Sequence, residues 1–178
     1  MNAGYFRQLA HYNAWANRRI YTAAAELSDG ERKAKRPSFF GSIHATLNHI
    51  LVGDRIWLSR LMAKPLGRIV SKPDSITGLD QELYADFNEL QAARVSEDER
   101  LIAVVDSYID ADLADDLVYR NIAGQDKRSP MVHVLAHLFN HQTHHRGQVH
   151  GLLSTTSVAP PSLDMILFAW AEPATAGR

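Results

Sequence analysis

Four long stretches of this chain repeat their apolar residues at intervals of three and four, and that period leaves little choice of fold. A stripe of this kind marks one face of an α-helix, and four such faces are covered only by packing against one another. The first stretch runs from about Ala3 to Leu27, with Phe6, Leu9, Ala16, Ile20 and Ala24 near helical spacing. It stops at Ser28, which has the spacing of a capping box with Glu31 over a short following turn. The second runs from about Ser42 to Ala63, with Ile43, Leu47, Ile50, Asp54, Trp57 and Leu61 along its stripe. The third extends from about Leu79 to Ile109. The fourth runs to Leu153 from Pro130, a residue suited to a first helical position. A short helix over SLDMILFAW follows the break at APP.

The connections complete the expectation. Residues 64–78 carry Pro65, Gly67, Pro73 and Gly78 and no periodic pattern. A connection that long can run the length of a bundle, so the second and third helices need not be antiparallel neighbours. Before the fourth helix, Leu117, Val118 and Tyr119 precede NIAGQD, the pattern of a small hairpin or an extended loop. The expected fold is therefore all-α. It is a four-helix bundle with a long connection between helices two and three and a short C-terminal helix. At 178 residues the chain suits one core, a single domain over 1–178.

Charge and composition narrow the function classes. The formal net charge is −1, so no overall basic field draws the chain to nucleic acid or an anionic membrane. There is no cysteine, which excludes disulfides, cysteinyl zinc sites and a thiol nucleophile. Arg7, Gln8 and His11 interrupt any signal-peptide core, and no run reaches the ~18 apolar residues of a membrane span. A cytoplasmic protein is expected.

Six of the nine histidines fall between His133 and His150. At ~100° per residue, the apolar residues of helix four cluster within about 60° of Met131. His145 lies about 40° from that direction and His141 about 80°, on the same shoulder; His137 and His144 fall about 120° to 140° away. His133 and His150 point to the flank or to solvent. His141 and His145, spaced i, i+4, can aim both imidazoles at one ion. The alternative is a pair of half-buried histidines bonded to backbone, Tyr or Asp. Gln142 stands where a zincin would have its glutamate, so no general base accompanies the pair. A third ligand must come from elsewhere, and helix two offers His44 and His49 on opposite flanks of its stripe. Periodicity does not choose between them. Asp54, an acid on the apolar stripe, must be paired when buried. It either orients a ligand imidazole or bonds an Arg or Tyr.

The segments TLNHILVGDRIWLSRL and HLFNHQTHHRGQVHGLL resemble the two signature segments of the DinB family of DinB/YfiT-like four-helix proteins. VYRNIAGQ and PPSLDMILFAW are similar to that family's flanks, so the resemblance covers nearly the whole chain. It implies a divalent metal at the bundle's edge held by His49, His141 and His145, and a homodimer. Three imidazoles suit Zn, Ni, Fe or Mn and leave a coordination position open, which is the pattern of catalytic sites. Relatives that use low-molecular-weight thiols imply a thiol-dependent transferase, in which the ion activates a small thiol cofactor toward an electrophile; hydrolysis is the other enzymatic expectation. Tyr119, Arg120 and Arg146 border the expected site and are candidate contacts for a small-molecule substrate, against the plainer reading of each as solvated or structural. Trp15 and Trp57 read as core. Two further functions stand beside the enzyme: a non-catalytic metal- or ligand-binding or sensor bundle, and a structural homodimer whose histidines only pack.

Overall fold

The computed structural model describes residues 1–171 and is an all-α bundle. Its body is α1 (Ala3–Ala25), α3 (Ile43–Ala63), α4 (Phe87–Asp106) and α5 (Met131–Leu153), flanked by α2 (Asp29–Lys33) and α6 (Met165–Ala171). Strands β1 (Asp116–Arg120) and β2 (Asp126–Pro130) pair antiparallel, making the hairpin anticipated before the last long helix. Residues 172–178, which the single-domain expectation includes, lie outside the described residues.

Local chemistry starts the helices. Asn2, Ser42 and Asp86 each accept a backbone N–H from three residues on, at the N-termini of α1, α3 and α4. Ser28 and Glu31 close the capping box that their spacing predicts. Some helix ends differ from the sequence expectation by two or three residues, and two boundaries differ for a visible reason. The third long helix begins at Phe87, not Leu79, because α3 has taken the backbone of the segment before it. Asn48 Oδ1 accepts from the N–H groups of Leu83 and Tyr84 at 2.8 and 3.0 Å, while the Leu79 and Tyr84 carbonyls accept from His49 and His44. Backbone groups engaged in this way are lost to a helical ladder. Pro130 ends β2 and precedes α5; the first helical residue is Met131, whose N–H donates to the Asp115 carbonyl.

Side-chain pairings give the helix directions. Residues 3, 17 and 21 of α1 meet 110, 98 and 87, so α1 and α4 run antiparallel. His49 and Gly53 of α3 meet His145 and His141 of α5, again antiparallel. Asp54 pairs with Arg94 and Arg55 with Glu97, so α3 and α4 are parallel neighbours. The long connection after α3 returns the chain to the end where α3 began. Asn13 and Asn17 pair with Arg146, and Phe6 with Phe139, so α1 and α5 are also parallel.

The core is split by a polar layer. Phe6, Leu58, Leu61, Leu101, Val105 and Leu135 fill one end, and Ile20, Leu47, Leu51, Phe87, Leu90 and Leu153 fill the other. Between them every long helix contributes polar side chains that are almost fully buried: Asn13 and Asn17, Asp54, Arg94 and Asp98, Gln142 and Arg146. Arg94 bonds Asp54 and reaches Asp98 at 2.9 Å; Gln142 Nε2 also donates to Asp54. Arg146 donates to Asn13 and Asn17 at 2.5 and 3.0 Å, and Asn17 donates to Asp98 at 3.0 Å. Burial raises the Asp54 carboxyl well above its usual range, with Arg94 pulling the other way.

Buried ions in such a layer are costly to leave alone. Arg94→Met removes the cation that both Asp54 and Asp98 face, and should cost about 3–5 kcal/mol. Urea denaturation checks it; a loss within the scatter of a surface substitution would show that the layer does not depend on this pair.

Candidate metal centre

Two helices bring three imidazoles to one point. His49 of α3 and His141 and His145 of α5 each present one ring nitrogen, and these atoms all lie within 4.8 Å of one another. His49 Nε2 stands 3.2 Å from Nε2 of His141 and 3.2 Å from Nε2 of His145. Among the described residues this is the group of potential ligands that converges.

Hydrogen bonds on the far side of two of the rings fix their tautomers, while Nδ1 of the third, His141, is buried with no partner among the described residues. The Leu79 carbonyl can only accept, so His49 Nδ1 carries the proton and donates across 2.7 Å. His145 Nδ1 donates to Gln148 Oε1 across 2.8 Å. In the neutral forms, Nε2 of both rings is then a bare lone pair, and two lone pairs face each other at 3.2 Å. A cation between them turns that repulsion into coordination. Nitrogens bonded at ~2.0–2.1 Å to a tetrahedral ion stand roughly 3.3 Å apart, so the observed spacing fits. The bonds to Leu79 and Gln148 are the outer contacts that fix tautomer and ring orientation in histidine metal sites.

Gly53 sets the position of the third ring. A Cβ there would lie 2.7 Å from His141 Cε1, so the His141 imidazole packs directly on the α3 backbone. Phe40, from the loop before α3, stacks on His49 with ring centroids 3.9 Å apart. Burial pushes all three imidazoles below their usual range, His141 to about 3, with the neighbouring histidines adding to the shift there. Neutral, metal-ready nitrogens therefore persist below the ordinary imidazole range near 6.5.

A cavity of about 460 Å³ opens beside His49 and His141. Trp57, Arg60, Tyr119 and His137 form much of its wall. Trp57, expected in the core, is only partly buried and packs on both Tyr119 and His137. Trp15 does lie in a buried aromatic group, with Phe168. Of the three candidate substrate contacts, Tyr119 lines the cavity. Arg120 is exposed, pairs with Asp126 at 2.7 Å and is not part of the wall. Arg146 is buried in the polar layer, one helical step from His145 and so ~100° around α5, facing the bundle interior. Asp54 bonds Arg94 and Gln142, not a ligand imidazole, which places it in the buried ion pair that was the other reading of its sequence. His44, the rival of His49, is spent on the Tyr84 carbonyl at 2.8 Å.

The sequence model of the DinB family matches residues 1–177. The chain belongs to the DinB family. It is similar to Protein DinB of Bacillus subtilis (strain 168), at 24% identity over 161 residues, covering 90% of this chain and 91% of that one. Its fold is similar to the crystal structure of a DinB-like protein from Bacillus cereus, with a TM-score of 0.60 and 16% identity over 83% of this chain and 89% of that one. The DinB resemblance of the two histidine-bearing segments corresponds here to the facing helices α3 and α5.

Sequence reasoning missed Gly53, Gln148 and the Leu79 carbonyl. Gly53 left a trace, as an isolated glycine inside a helical pattern. Gln148 lies three residues beyond His145, within reach on the same face. A loop carbonyl leaves none.

The depressed imidazole pKa values give a signed pH dependence for metal-free protein. In the unfolded chain these histidines take up protons near 6.5, while in the fold they resist them, so the unfolded state binds more protons below that point. Stability should be full above about pH 7 and decline as pH falls through 6.5 toward 4. His141→Gln should flatten that decline in urea titrations of chelator-treated protein; an unchanged slope would refute the account.

Proposed function

We propose that this chain is a divalent transition-metal protein whose metal is catalytic, of the thiol-dependent transferase or hydrolase type. The observation that carries the reading is the convergence of three imidazole nitrogens, two of them held as bare Nε2 lone pairs, beside a cavity. His49, His141 and His145 would hold the ion. All-imidazole donors favour Zn, Ni, Fe or Mn over Ca or Mg, and three protein ligands leave at least one position free. An ion held there supplies a Lewis acid to a thiol, a water or a carbonyl. The chain's own residues do the rest. Leu79 and Gln148 keep the ring protons on Nδ1, Gly53 lets His141 approach, and Phe40 shields the His49 face from solvent. With no cysteine of its own, the protein requires that a transferable sulfur arrive on a small thiol.

Metal analysis of untagged protein tests the binding half. About one ion per chain is expected, with tight binding abolished in His141→Ala and His145→Ala and retained in His133→Ala and His150→Ala. Gly53→Ala should weaken affinity roughly 10-fold or more by displacing the His141 ring. Equal metal content across all five variants would sink the assignment. Turnover of electrophilic acceptors with small thiols, or of hydrolysable esters and amides, then separates an enzyme from a binding or sensor protein.

The same proposal includes a homodimer, with neither nucleic acid nor membrane as partner. Ile166 and Trp170 on α6 are 56% and 70% exposed, an apolar face next to the aromatic group formed with α1. Among the described residues no helix is long and apolar enough to cross a membrane. Light scattering should give about twice the 19.9 kDa chain mass. A concentration-independent monomer would refute the dimer.

A further inference from the structure

Among the described residues Arg60 is the one formally charged residue on the cavity wall, and no Asp or Glu lines that wall. It is only 5% exposed, yet no carboxylate among the described residues lies within ion-pair distance of it. Its Nε donates to the Ser71 carbonyl at 2.8 Å, and its guanidinium lies 4.5 and 4.7 Å from the ring centres of Trp57 and Tyr119. Among the described residues no acceptor reaches its two Nη atoms, and neither is sealed from the cavity as a buried orphan. The aromatic faces hold the cation in place without neutralising it. Burial pulls its pKa down, as expected of a cation short of a counter-charge. The other two arginines of the interior spend their Nη atoms inside the protein, Arg94 on carboxylates and Arg146 on neutral side chains. Arg94 faces Asp54 and Asp98, and Arg146 is bonded by Asn13, Asn17 and Gln142.

We propose that the cavity takes a small carboxylate-bearing substrate, its carboxylate on the free edge of Arg60 and its apolar or unsaturated body against Trp57 and Tyr119. The reacting end would then point at the three imidazoles, so this assignment rests on the reading of the triad as a metal site. Scale supports it. Arg60 lies seven residues beyond Gly53 on α3, ~10 Å along the helix axis, and Gly53 is the residue against which His141 packs. That is the span of a carboxylic acid with a short chain or one ring. A single planar fork with no second cation suits a monoanionic carboxylate better than a phosphate, which recruits several donors. Arg60 is thereby a substrate-positioning and specificity residue.

The test is calorimetric titration of hydrocinnamate and its neutral amide into full-length protein, metal-loaded and chelator-treated in parallel. Binding of the acid at least about tenfold tighter than the amide is expected in both forms, because the Arg60 contact needs no ion. Arg60→Gln should abolish the preference, and Arg60→Lys should keep part of it. Equal binding of acid and amide, or no binding of either, by the chelator-treated wild type overturns the proposal even if Arg60→Gln fails to fold. A preference seen only with metal present also overturns it, by assigning the carboxylate to the ion, and leaves the metal reading intact. A preference that survives in Arg60→Gln overturns it as well. Metal content measured on the same samples reports separately on the triad.

Discussion

The buried ion pair of Asp54 with Arg94, completed by Gln142, Asp98, Arg146 and two asparagines, is the constraint on which the rest of the bundle depends. Apolar helix faces tolerate sliding and rotation, because most arrangements bury similar area. A layer of buried charges and amides does not, since a shift of one turn strands several polar groups without partners. The layer joins all four long helices, and it also sets the geometry next to it. Asp54 follows Gly53 in sequence, and Gln142 follows His141. The bond between Asp54 and Gln142 therefore fixes which turn of α5 lies against which turn of α3, and that choice brings His141 onto Gly53.

One helix thus serves two environments. The inner face of α3 carries Leu47, Leu51, Asp54, Leu58 and Leu61 into the core, while the neighbouring face carries His49, Gly53, Trp57 and Arg60 along the cavity. On the first face the charge is matched inside the protein; on the second it is left unmatched. Each of the two arginines that flank this boundary, Arg94 and Arg60, is buried to a similar degree, so exposure alone does not distinguish a structural cation from one reserved for a ligand. The partners do.

Much of this was legible in the sequence, and the limits have physical causes. Periodicity located all four long helices, and the Ser28 to Glu31 spacing announced its capping box, because both are written in contacts between residues near in sequence. The i, i+4 pair His141 and His145 was visible for the same reason. His44 and His49 were not separable by a helical wheel, since both flank the stripe and the difference lies in which carbonyl of a distant segment each meets, Tyr84 or Leu79. Asp54 announced that it needed a partner, but not that the partner would be Arg94 from a helix running alongside. Arg146 was placed near the site by its adjacency to His145, and adjacency on a helix is ~100° of rotation, enough to point it inward. Trp57 lay on an apolar stripe that the β-hairpin covers only in part, and a stripe does not record how far its cover extends.

The Leu79 carbonyl gives the segment between α3 and α4 a second role. Loop-closure entropy grows slowly with length, so surface connections ordinarily accept insertions and deletions at little cost. This connection carries the acceptor that decides where His49 keeps its proton, and Asn48 and His44 clamp it a few residues later. Its length and path are therefore part of the ligand's basicity. A chain altered there would keep its helices and its core while losing the nitrogen lone pair that the bundle holds toward its neighbours, a defect of tuning rather than of folding.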